Sequence, residues 1–71
     1  MLKTANNDTG PKFLRREAVE DLTGLSRSTV YQYMAEGRFP RPIKISSRVV
    51  AWVESEISAW MAERIAERDA A

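Results

Sequence analysis

Apolar side chains first fall into a regular pattern at Leu14, Ala18, Val19 and Leu22. Their i, i+4, i+5, i+8 spacing describes one face of a short helix from Arg15 to Leu22, with Glu17, Glu20 and Asp21 mainly on the other side. Gly24 ends that helix, because glycine adopts the left-handed conformation common just past a helix terminus. A second stripe follows at Val30, Tyr33 and Met34, with Leu25 placed to staple its start. Ser26 supplies the N-cap, since its hydroxyl can accept from backbone N–H groups two or three residues on. The pattern predicts a second helix over 26–36, closed by Gly37, with Arg27, Ser28, Tyr31 and Gln32 off its apolar stripe.

Two prolines within RFPRP (38–42) forbid helix there. Beyond it Ile43 and Ile45 alternate with Lys44, and a tight turn at Ser46–Ser47 lets Val50 and Trp52 face the same way as the two isoleucines. That predicts a small β-hairpin over 43–52 with one apolar face and Arg48 at its tip. The last segment places Ile57, Trp60, Met61 and Ile65 at i, i+3, i+4, i+8, an amphipathic helix whose final turn, after Ile65, should fray. Trp52, Trp60 and Phe39 are the expected core, together with Val30 and Met34. Two short helices joined by a glycine turn form a helix-turn-helix. The full order helix, turn, helix, hairpin, helix predicts a mainly α fold with a small β-hairpin, a winged helix-turn-helix over 12–71. Residues 1–11 hold no apolar cluster and are expected to be a disordered tail.

Composition narrows the function more than the fold. At 71 residues this is one small domain, near the lower size limit for independent folding. It has no cysteine and no histidine, so disulfides, thiolate metal sites and histidine general bases are all excluded. Carboxylates and serines alone remain, and the three glycines form no phosphate-cradling loop. The expectation is no catalysis, no cofactor, no metal and no small-molecule ligand. No stretch approaches the ~20 apolar residues of a membrane span, so a soluble, cytoplasmic protein is expected. The net charge of +1 hides a segregation. Residues 12–48 carry eight basic groups against four acidic ones, whereas 49–71 carry two against five. A basic body beside an acidic last helix points to a polyanion on one side.

Three stretches, TGLSRSTVY, EGRFP and AWVESEISAW, occur in this order and spacing, and on them residues 13–65 resemble the AlpA family of small phage and prophage regulators. That family is itself similar to MerR-like winged-helix domains and to phage excisionases. The resemblance implies a transcriptional regulator bound to double-stranded DNA in the nucleoid, with a recombination directionality factor (excisionase) as the alternative.

The residues off the second stripe have the chemistry for such a role. Ser26, Ser28 and Thr29 stand at a helix start, where unpaired N–H groups and the dipole favour a phosphate; for Ser26 a plain cap is equally consistent. Arg27 can fork onto a phosphate or onto guanine, Gln32 can pair with adenine, and Tyr31 offers an apolar ring with a donor. On the wing, Lys44, Ser46, Ser47 and Arg48 can meet backbone or minor groove, and Arg38 can touch phosphate past the second helix. Arg15 and Arg16 open the first helix, where the dipole disfavours cations; a phosphate would give them a reason to be there. One recognition helix reads about four to five base pairs, a match found about once per thousand positions among at least ~10⁶ competing sites. A dimer, or copies on neighbouring sites, must supply the rest. A protein-interaction module that keeps the fold without binding DNA is the competing class.

Overall fold

The computed structural model describes residues 10–71 and contains three helices and a three-stranded antiparallel sheet. The tail expected over 1–11 lies mostly outside these residues. Strand β1 (Phe13–Leu14) leads into helix α1 (Arg16–Thr23), which ends at Gly24 with φ 74°. The Gly24 N–H donates to the Glu20 carbonyl at 2.8 Å, and the Thr23 hydroxyl donates to the Val19 carbonyl at 2.8 Å while accepting from Leu25 N–H. Helix α2 (Arg27–Ala35) starts where expected, with Ser26 Oγ accepting from Thr29 N–H at 3.2 Å. It closes through Gly37 at φ 72°. There Gly37 N–H donates to Met34 O and Arg38 N–H to Tyr33 O, the paired bonds of a Schellman cap.

Strands β2 (Ile43–Lys44) and β3 (Val50–Val53) form the hairpin, and β3 occupies the middle of the sheet between β1 and β2. The β1 strand was not foreseen, since two residues are too short to display a period. Its pairing of Leu14 with Trp52, extended by a bond from Glu54 N–H to Lys12 O, anchors the start of the domain to β3.

The hairpin register differs from expectation by one residue. A two-residue turn at Ser46–Ser47 would set Ile43 against Val50. Instead Ile43 pairs with Ala51 and Lys44 with Val50. The Ile45 N–H donates to Val49 O at 2.8 Å, so the turn runs from Ser46 to Val49 with Ser47 and Arg48 at its centre. The Ser46 hydroxyl oxygen faces Arg48 N–H at 3.4 Å, a serine turn that favours the longer loop. Because side chains alternate along a strand, a one-residue slip exchanges the faces. Lys44 thereby joins Val50 and Trp52, while Ile43 and Ile45 turn to the opposite face, where Ile45 is 50% exposed. The hairpin has no single apolar face shared by all four residues.

Val19, Val30, Phe39, Trp52 and Ile57 form the buried core, with Leu14, Leu25, Tyr33, Met34, Val50, Trp60 and Met61 packed around it. The expected aromatic core is therefore present. Leu22, expected on the inward face of α1, is 49% exposed; the helix has only two turns and buries Val19 alone. The last helix, α3 (Glu54–Ala70), buries Ile57 and half-buries Trp60 and Met61. It stays helical to Ala70 instead of fraying after Ile65. Arg64 pairs with Glu67 one turn on, and Ala66 and Ala70 are strong helix formers.

The proline-containing link between α2 and β2 is held by two indoles. Trp52 Nε1–H donates to the Pro40 carbonyl at 3.0 Å and Trp60 Nε1–H to the Arg38 carbonyl at 2.7 Å. Phe39 meets Trp60 edge-on, with ring centroids 4.9 Å apart. Among the described residues, no helix is long and apolar enough to cross a membrane.

Candidate nucleic-acid interface

Val30 is the one α2 residue wholly inside the core, which fixes the rotation of the helix. Arg27, Ser28, Tyr31 and Gln32 consequently project outward and are exposed. At the helix start the hydroxyls are already engaged with each other. Ser26 Oγ donates to Thr29 Oγ1 at 2.9 Å and accepts from Thr29 N–H, and Ser28 Oγ lies 3.3 Å away. A hydroxyl has one proton to give. With that of Ser26 directed at Thr29, the Ser28 hydroxyl is the donor of its bond to Ser26 Oγ, and the free hydroxyl donor at this end is that of Thr29.

Arg27 lies over the Tyr31 ring, its guanidinium carbon 5.9 Å from the centroid. Gln32 donates its amide to Glu36 at 3.2 Å, and Arg38 donates to the other oxygen of the same carboxylate at 2.9 Å. These two bonds, Arg38's first, hold the Glu36 carboxyl below its ordinary pKa. The sequence reading did not single out Glu36, though an acid four residues after Gln32 on one helix face is the spacing that brings such a pair together. Arg38 also stacks over Tyr33, at 4.7 Å. It lines a groove of about 910 Å³ with Phe39, Pro42, Trp60 and Arg64, a groove that none of the α2 residues line.

On the wing, Lys44, Ser46, Ser47 and Arg48 are all exposed. Arg48 lies with Arg15, Arg16, Glu17, Tyr31 and Val50 around a cleft of about 460 Å³. The fold thus brings together the start of α1, the middle of α2 and the tip of the wing. Of the expected contact residues, Tyr31 and Arg48 line this cleft and Arg27 lies against Tyr31, whereas Arg38 is outside it. Arg15 and Arg16 join the cleft; from the sequence, their unfavourable place at the positive end of a helix was the one hint of a phosphate contact. Arg16 is bonded to Glu20 at 2.9 Å; Arg15, Arg27, Lys44 and Arg48 have no ion-pair partner among the described residues. The surface formed by α2 and the wing exposes guanidinium, phenol, amide and hydroxyl groups, and the Arg27 and Arg48 guanidiniums there have no ion-pair partner among the described residues. It suits a polar, anionic and extended partner more than a small molecule.

Comparison with known proteins is consistent in direction. Residues 12–65 match the family model described as prophage CP4-57 regulatory protein (AlpA). The chain is 48% identical over 60 residues to the uncharacterized protein ORF88 of Enterobacteria phage P4, an alignment covering 84% of this chain and 68% of that one. It is 31% identical over 65 residues to the DNA-binding transcriptional activator AlpA of Escherichia coli K12, covering 83% of this chain and 93% of that protein.

Proposed function

Since the chain belongs to the AlpA family of prophage regulatory proteins, we propose that it is a sequence-specific double-stranded DNA-binding transcriptional regulator of the phage type, acting on DNA in the cytoplasm. Helix α2 enters the major groove and the wing lies on backbone or minor groove. The observation that carries this reading is the shared cleft: Tyr31, in the middle of the exposed face of α2, and Arg48, at the wing tip, line the same surface. A groove-reading helix and a wing act on one duplex only if they face the same way.

Roles follow from position. Arg27, Tyr31 and Gln32 are the base-reading residues, each good base contact being worth roughly 1–3 kcal/mol of discrimination. Thr29 donates to phosphate at the start of α2, Ser28 does so once it exchanges Ser26 for the DNA, and Ser26 holds that start in shape. Lys44, Ser46, Ser47 and Arg48 contact the backbone. Arg38 serves as a peripheral phosphate contact, available once it exchanges Glu36 for the DNA.

The test is recovery of bound fragments from sheared source-genome DNA at about 150 mM salt, a concentration at which non-specific binding is weak. An Arg27→Ala/Tyr31→Ala double variant runs alongside. Enrichment that the variant loses supports recognition by α2. Promoter-linked fragments fit a regulator, and clustered repeats at an element's end fit an excisionase. If the wild-type protein enriches nothing over input, the reading falls in favour of a protein-interaction module.

A further inference from the structure

We propose that the cleft between the start of α1 and the wing is a seat for one strand of the DNA backbone, bordering the base-reading face of α2. This rests on the DNA-binding reading above and extends it by joining Arg15 and Arg16 of α1 to the wing cations in one site.

Three arginines reach this cleft from two distant parts of the chain, Arg15 and Arg16 from the start of α1 and Arg48 from the wing, against one lining carboxylate, Glu17. Arg15 and Arg48 have no ion-pair partner among the described residues. Arg16 is steadied by Glu20, which holds its guanidinium in one place. The one-residue slip of the hairpin adds a fourth cation at the edge. Val50 lines the cleft and Lys44 lies directly opposite Val50, so Lys44 shares the cleft-facing side of the wing. The register expected from the alternation would have put Ile43 there instead.

Clustering of like charges with no internal partner is unfavourable in the free protein, and an anion reverses the sign. The volume of about 460 Å³ exceeds a lone phosphate and admits a phosphate with its flanking sugars. Tyr31 also lines the cleft and marks where it borders the base-reading face of α2. Backbone chemistry of this kind is the same on every sequence. The seat therefore fixes where α2 sits along the groove without reading bases.

The test compares binding to two duplexes, a recovered high-affinity fragment and one of unrelated sequence, across a salt series. An Arg15→Ala/Arg48→Ala variant is expected to lose affinity equally on both. The slope of log affinity against log salt should become shallower by about 1.8, for two phosphate contacts removed. Arg15→Lys/Arg48→Lys should restore most of that slope, since the charge is kept. Glu17→Gln should tighten binding to both duplexes. Both arginines are exposed, and unchanged circular dichroism and thermal midpoint would confirm that the fold is intact. An alanine variant with the wild-type slope, or one weakened on the specific duplex alone, overturns the seat while leaving DNA recognition standing. Failure of the wild-type protein to bind either duplex overturns both.

Discussion

Ser26 has one proton and gives it to Thr29, and that choice separates its structural use from a direct hold on DNA. Replacing it with alanine removes the cap of α2 and should lower stability by about 1 kcal/mol, measured by urea denaturation. DNA affinity should fall no further than the loss of folded helix requires. Sequence alone left both uses open, because a hydroxyl's partner is a matter of geometry rather than of residue type. Leu22 shows the same limit: its spacing is right for the core, but a two-turn helix reaches the core with Val19 alone. Where burial is complete, the pattern sufficed. Ile57, wholly buried on α3, should cost on the order of 2–5 kcal/mol when cut to alanine. For a domain this small that is enough to unfold much of the population at 37 °C. Glu36 gives a pH signature. Its carboxyl titrates below the ordinary value of 4.5, so the stability it adds is full above that pH and is lost as pH falls through the lower folded value. Glu36→Gln should flatten that acid limb slightly, because the pair is exposed to solvent.

The elements themselves were legible from the chain because the first two helices each carry their own stop. Gly24 and Gly37 both stand at positive φ, and a methyl group at either would meet nothing within 4 Å. Substituting alanine therefore costs only the left-handed backbone strain, roughly 1–2 kcal/mol at each site. A loss at Gly37 much above that range in thermal melts would mean the Schellman cap is tied to more than the helix end. The hairpin was legible as an element and misread in register. Alternation specifies which residues share a face only after the turn length is known. With two-residue strands such as β2 there are too few pairs to set the turn from the pattern. A serine turn at Ser46 decided it. Strand β1 escaped notice for the same reason, having two residues and no period. The helical length of α3 was underestimated because the apolar stripe ends at Ile65, whereas backbone preference and the Arg64–Glu67 pair continue beyond it.

At the scale of the whole molecule, charge pointed to a class of partner but not to a place. The excess of cations over 12–48 indicated a polyanion; that Arg15, Arg16 and Arg48 share one cleft while Arg38 faces another required the fold. Sequence separation of more than thirty residues between Arg15 and Arg48 is closed by β1 and β2 pairing with the same central strand and by α1 packing against it. With about five phosphates engaged, log affinity for DNA should fall against log salt with a slope near −4.5, read by fluorescence anisotropy on a labelled duplex. A slope near zero would point to a partner other than nucleic acid. The same molecule carries its own optical readout of these events. Both of its tryptophans donate to carbonyls of the one link that joins α2 to the wing, yet Trp52 is sealed and Trp60 is half open. Iodide should quench Trp60 selectively, leaving a blue-shifted emission from Trp52. Strain passed between helix and wing on binding would then register as a change in one colour before the other, with no label attached.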